Sequence, residues 1–303
     1  MRFLAALLLL LLTTPASAAF TAYETLALSY GASNIYPLSA NPNDAVGSLN
    51  GSCAGSTATC AYGTTVTPYV SAYTPASQSI FATPDSYMVS TQTWTEAVWF
   101  TSSTLVSGET DVQAFYSNSG ATIIFYTSWC PLHTLAIGIN NAGSFVGVCS
   151  SASLDNGLPH FVVNSCTAAG SGGSCVAYVD GALVGSYTAT FGYGNVTGGY
   201  TWGANRNLGP STVLPGVVGE PIVFQNVQLT SGEVSNLYNC GLSNLDCGPT
   251  VYTNQCSSTF GGFLVFCDSF DLVSAGYYNE APLPSPNWTN SGGITFTAAV
   301  PSA

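Results

Sequence analysis

Ten cysteines fall into five close couples along the chain: Cys53/Cys60, Cys130/Cys149, Cys166/Cys175, Cys240/Cys247 and Cys256/Cys267. Each couple brackets a short turn rich in glycine or serine that can bring its two ends together. Bonding between neighbours is therefore the simplest connectivity, although spacing alone leaves the others open. Short staples of this kind pin loops. No Cys-x-x-Cys pair occurs and the two histidines, His133 and His160, stand alone in the sequence, which argues against a zinc site.

Disulfides need an oxidising compartment, and the N-terminus supplies a route to one. "MRFLAALLLLLLTTPASAAF" has one arginine, an apolar run and the small-residue triplet Ala16-Ser17-Ala18. Residues 1–18 are expected to be a secretory signal peptide, with the mature chain starting near Ala19. No later stretch approaches the roughly 18–20 consecutive apolar residues that cross a bilayer, so an exported chain without a transmembrane segment is expected.

The charge balance is lopsided: fourteen acidic residues face two arginines, Arg2 and Arg206, and no lysine, for a formal net charge of −12. Such a surface repels phosphate backbones and anionic headgroups, which excludes nucleic acid as a partner. It also constrains the interior. With Arg2 lost in the signal, at most one buried carboxylate can meet an arginine, and any other needs backbone donors, a proton or a metal ion. Solubility falls to Ser, Thr, Asn and Tyr, with sugars expected at the sequons of Asn50, Asn195 and Asn287 in a glycosylating host.

Short runs rich in Val, Ile, Thr, Tyr and Phe, separated by Gly, Asn, Ser and Pro, predict an all-β chain. In "TWTEAVWF", Trp94, Glu96, Val98 and Phe100 share one strand face while Thr95, Ala97 and Trp99 share the other. Both faces are bulky and apolar, so the strand is expected at the centre of a sheet. "TLAIGINNAGSFVGVCS" reads as two strands, and "CVAYVDGALVGSY" as a hairpin around Asp180-Gly181, both of which tolerate the positive φ of a tight turn. One helix is predicted in "QLTSGEVSNLYNCG". Thr230 and Glu233 have capping-box spacing, Val234, Leu237 and Tyr238 form the stripe, and Gly241 is the expected terminator.

The order of these segments resembles the concanavalin A-like jelly roll of the laminin G-like type, from residue 21 to about 240. "YETLALSYGASNIYPLSANPNDAVGSLNGS" resembles that family's opening, a short strand with Tyr-x-Leu and an Asp-containing loop leading to Asn-Gly. "TWTEAVWF" resembles its early core strand, "LPHFVVNS" with "CVAYVDGALVGSY" its signature hairpin, and "GVVGEPIVFQNVQLTSGEVSNLY" its closing strand and short helix. The resemblance implies a β-sandwich over residues 19–247, followed by a small extension or β-subdomain over 248–303. It also implies a Cys166–Cys175 bond across the hairpin connection, with Asp180 a turn former. One departure stands out: where relatives carry an acidic pair, this chain has Glu220 followed by Pro221, and a proline lacking a ladder donor predicts an edge or a bulge there.

Four constellations are candidates for function. Trp202, Asn205 and Arg206 combine a flat aromatic, an amide and the one mature arginine, a set suited to stacking on a sugar and bonding its hydroxyls; the competing expectation places Trp202 in the core. Asp85, Asp111, Asp155 and Glu220 are candidate oxygen donors to calcium, which many relatives bind. Glu109 and Asp111 lie two apart, as in the Glu-x-Asp-x-x-Glu motif of β-glucanases with this fold, but Ala114 stands where the acid/base partner is needed. Residues 248–303 could pack as a subdomain or donate a strand to a second copy. No nucleophile motif accompanies either histidine. The fold resemblance implies a secreted, non-catalytic recognition module for glycans or glycoproteins; a self-associating subunit of an extracellular coat or filament is the alternative, and an atypical glycoside hydrolase the third reading.

Overall fold

A strand with apolar bulk on both faces must be covered from both sides, and that demand organises the chain. The computed structural model describes residues 20–54, 60–75, 80–82, 93–103, 110–117, 121–126, 130–141, 144–167, 173–188, 196–203, 213–248, 287–289 and 295–297. Contacts divide the chain into two units, Met1–Pro249 and Thr250–Ala303. In the second, β16 (Asn287–Thr289) pairs antiparallel with β17 (Thr295–Thr297).

The first unit contains two antiparallel sheets. One runs, edge to edge, β13 (Ala182–Thr188), β12 (Ser174–Val179), β11 (His160–Cys166), β6 (Trp94–Ser102), β15 (Gly216–Gln225), β4 (Val70–Thr74) and β3 (Ala61–Thr67), with β1 (Asn34–Ile35) also paired to β15. The other runs β10 (Ser144–Cys149), β9 (Leu135–Asn141), β8 (Ala121–Tyr126), β7 (Thr110–Ser117), β14 (Val196–Trp202), β5 (Ile80–Ala82) and β2 (Ser52–Ala54). This is an all-β sandwich with two short helices.

Strand β6 sits at the centre of the first sheet, and its two faces enter different cores. Trp94, Val98 and Phe100 pack with Ile124, Leu135, Ile137 and Trp202 between the sheets. Ala97 and Trp99 point the other way, into a layer built with Phe161, Val163, Ile222 and Phe224 and roofed by both helices. Glu96 is fully buried on the inter-sheet side of the strand. A further bond joins the sheets, from the Tyr73 hydroxyl of β4 to the Trp202 carbonyl of β14.

The opening stretch corrects the expected short strand. Residues Ala22–Ser29 form helix α1, with Thr21 as N-cap and a reciprocal bond to Glu24, and the first strand comes only at Asn34. The capping box satisfies two helix-end donors, and Tyr23, Leu26 and Ala27 bury themselves over β6, which a solvent-edge strand could not do. Helix α2 (Ser231–Ser243) has the predicted Thr230/Glu233 capping box but outruns its predicted end. Asn244, in the left-handed conformation at φ 59°, closes it. Gly241 lies inside, where it allows the helix to press on Trp99: a Cβ there would sit 2.7 Å from the indole. Tyr238 stacks on the same ring at 5.7 Å, and Thr67 donates to the Gly241 carbonyl at 2.5 Å.

Pro221 marks a bulge, while the edge alternative fails because β15 lies between β6 and β4. The register shifts between Gly219 and Ile222, and the neighbour changes there: Val218 and Gly219 pair with β4, Ile222 and Val223 with β1. The hairpin turn at Asp180-Gly181 has the expected positive φ at both residues, 52° and 76°. Four neighbouring cysteine couples are bonded, Cys53–Cys60, Cys130–Cys149, Cys166–Cys175 and Cys240–Cys247. Cys256 and Cys267 lie outside the described residues.

The close approach of α2 to Trp99 separates two glycines of one helix. Gly241→Ala is expected to lower unfolding stability by about 1–3 kcal/mol through overpacking. Gly232→Ala, whose Cβ meets nothing nearer than the Thr230 hydroxyl at 4.0 Å, should be neutral or gain up to about 1 kcal/mol. Urea midpoints at unchanged m-value measure both.

Candidate functional site

Loop 150–159 carries the chain from β10 in one sheet to β11 in the other and thus closes one rim of the sandwich. Several bonds hold it. The Cys130–Cys149 disulfide fixes its approach, the Ser150 hydroxyl accepts from the Leu135 N–H at 2.9 Å, Leu154 N–H donates to the His133 carbonyl at 3.1 Å, and Gly157 N–H to the Ser102 carbonyl at 2.8 Å. On this fixed frame sit both histidines of the chain, each against an aspartate.

His133 occupies the turn before β9 in a left-handed conformation, φ 71°. A non-glycine residue there carries about 1–3 kcal/mol of backbone strain, which persists only where surroundings enforce it. Here Thr134 N–H bonds the Pro131 carbonyl, and the ring Nδ1 meets Asp155 Oδ2 at 2.6 Å. A carboxylate can only accept, so Nδ1 donates to Asp155 and the ring is oriented with Nε2 on its other side. The His133 side chain is 24% exposed while Asp155 is 6% exposed. Leu132, next to His133 in sequence, and Leu158, three residues after Asp155, stand 65% and 60% exposed.

His160, at the start of β11, is almost buried. Its Nδ1 meets Asp180 Oδ2 at 2.9 Å and its Nε2 meets Asn156 Oδ1 at 3.0 Å. Asp180 Oδ1 also accepts the Phe161 N–H at 2.9 Å, so the turn former ties its hairpin to β11 as well.

The residues singled out from sequence do not gather at one place. Trp202 is fully buried against Tyr36, ring centroids 5.5 Å apart, which leaves no open face for a sugar. Asn205 and Arg206 lie outside the described residues, as do Asp85, Glu109 and Asn195. Asp111 and Asn287 fall within β7 and β16. Asn50 is exposed, and its carboxamide oxygen accepts the Asp44 N–H at 3.1 Å. Of the proposed calcium ligands, Asp155 is engaged by His133 and Glu220 is 1% exposed in the β15 bulge. Among the described residues no three His, Cys, Asp or Glu side chains cluster as a metal would require. The pairs His133/Asp155 and His160/Asn156/Asp180 escaped sequence reading because 20 or more residues separate each histidine from its aspartate.

Glu220 illustrates how the interior handles acid without cations. Burial, then the neighbouring Glu24 charge and hydrogen bond, push its carboxyl well above the usual range. Burial, followed by Glu220 itself, likewise pushes the Tyr23 phenol up.

No family model matches the chain, and no curated protein matches it. Solved structures resemble it in fold. Domain 4 of AbnA, a GH43 extracellular arabinanase from Geobacillus stearothermophilus in complex with arabinotriose, superposes with a TM-score of 0.50 at 16% identity, over 69% of this chain and 98% of that one. The binding domain of botulinum neurotoxin serotype D/C gives 0.52 at 14% identity, over 72% of this chain and 53% of that one. A Trypanosoma rangeli sialidase mutant with trans-sialidase activity gives 0.50 at 15%, over 69% of this chain; the chain spans 33% of that enzyme's length.

A carboxyl whose folded value is raised stabilises the fold in acid, and that contribution is lost as pH rises through the folded value. Glu220→Gln removes the titration. Its unfolding midpoint should therefore exceed the parent's at neutral pH, by a margin that widens from acidic to alkaline buffer; a margin that is constant or shrinks contradicts the buried-acid assignment.

Proposed function

We propose that the chain is a secreted, non-catalytic recognition module whose rim, around Leu132, His133, Asp155 and Leu158, contacts a glycan or the glycan of an extracellular protein. One observation carries this reading: a partly exposed imidazole oriented by a buried aspartate, on loops pinned by a disulfide, with one exposed leucine preceding the histidine in sequence and another three residues after the aspartate. Sugars present apolar C–H faces beside hydroxyls, so leucine methyls with an oriented donor or acceptor match them. Rigid loops limit the ordering cost of binding.

Charge narrows the ligand class. At a net charge of −12 the chain attracts neutral sugars more readily than sialylated or uronic ones. Among the described contacts neither imidazole meets a Ser, Thr or Cys nucleophile; each meets an aspartate, and His160 also an amide. The arabinanase domain solved with arabinotriose and the neurotoxin binding domain are consistent with recognition by such a sandwich, though their likeness extends to fold alone.

A glycan array probed with the mature chain, with and without calcium, tests the reading. Retention of a set of neutral glycans is expected. Leu132→Asp and His133→Gly should each weaken it at least about tenfold, or ~1.4 kcal/mol. The glycine relaxes the positive φ, so a loss of binding with an unchanged or raised melting temperature separates contact from folding. No retained glycan, or variants that bind like the parent, contradicts the rim as the site.

A further inference from the structure

The bonding around His160 fixes more than its position. Asp180 accepts from two sides, Phe161 N–H at Oδ1 and the imidazole Nδ1 at Oδ2, and a carboxylate has no proton to give. On the opposite side Asn156 presents its oxygen. That orientation is settled independently, since the Leu158 N–H, a donor only, bonds the same Oδ1 at 2.9 Å, and Nδ2 points to the Ser153 carbonyl at 3.4 Å. Flipping the amide would set two donors against each other. Both ring nitrogens of His160 therefore face acceptors, and a neutral imidazole has only one N–H.

We propose that His160 is held as a doubly donating imidazolium that clasps loop 150–159 onto the Asp180 turn, so that one proton sets the shape of the rim. The described groups that meet the ring fit this charge. Asp180 reaches it from the β12–β13 turn, and the Asn156 oxygen from the loop, next to the Asp155–His133 pair. The Phe100 ring of β6 lies 5.9 Å away. From α2, Tyr238 is the titratable neighbour of Asp180; burial, and then the Asp180 charge, push its phenol up. His160 itself is only 6% exposed, while its partners reach toward solvent: Asn156 is exposed and the Asp180 side chain is 31% exposed.

Loss of the proton leaves Nδ1–H on Asp180 and turns the Nε2 lone pair toward the Asn156 oxygen. The repulsion releases Asn156 and, with it, the Leu158 N–H and the segment that places Asp155 against His133. The clasp is thus closed in mild acid and opens in alkali. Its effect on recognition rests on the rim being the binding site, but the clasp itself does not.

Nitrogen-15 spectra of the histidine rings in the full mature chain, with amide exchange read at Leu158, test this without any ligand. Spectra are compared at about pH 5.5 and 8.5, on either side of the range in which histidine ordinarily changes charge. At the acidic point both His160 nitrogens should show the shifts of proton-bearing nitrogens. At the alkaline point Nε2 should lose its proton, and Leu158 exchange should accelerate at least about tenfold beyond the intrinsic base-catalysed change. Asn156→Ala should abolish that extra acceleration. A bare Nε2 at the acidic point, or Leu158 protection that does not depend on pH, overturns the clasp; a blank glycan array would overturn only the rim reading.

Discussion

Burial of β6 on both faces is the constraint from which the rest follows. Trp94, Val98 and Phe100 require a second sheet, and Trp99 requires a roof on the other side. Two helices far apart in the sequence supply that roof, and each does so in a particular way. Helix α1 brings the Tyr23 hydroxyl to the indole N–H at 3.2 Å, and α2 offers a glycine where any side chain would collide with the ring. With the centre covered, the two sheets face each other across one core and loop 150–159 crosses between them at a rim.

The scarcity of cations then shapes those rims. Asp44 is satisfied by Asn34 and by the N–H groups of Ile35 and Val46, which folds its loop beside β1. Glu220, buried beside Glu24, has its carboxyl pushed well above the usual range, first by burial and then by the Glu24 charge. Asp155 and Asp180 take the remaining route and enlist the two histidines. A chain without lysine thus places both of its imidazoles around one loop, where they orient groups that lysine or arginine would hold in a more basic protein.

Much of the scaffold was legible because it depends on neighbours in sequence. Period-two alternation assigned the faces of β6, Asp180-Gly181 fixed a hairpin, Pro221 announced a bulge, and short spacing paired the cysteines now seen bonded. Helix α1 was missed although Thr21 and Glu24 hold the same capping spacing as Thr230 and Glu233, because the apolar run that follows suits a strand equally well. Gly241 was read as a terminator because its reason for being glycine, the indole of Trp99, lies on a distant strand. The rim was illegible for the same cause. Nothing near His133 or His160 in sequence names its aspartate, and Trp202, the residue chemically best suited to sugar, is taken by the core.

Native-state hydrogen exchange reads the central constraint most directly. If β6 is the element on which both cores close, the amides of Ala97, Val98 and Trp99 will exchange only through global unfolding, with the slowest rates in the chain, while those of the edge strand β13 open locally and exchange faster. Exchange of the β6 amides as fast as those of β13, at a free energy well below that of global unfolding, would mean that the sandwich is not built around this strand.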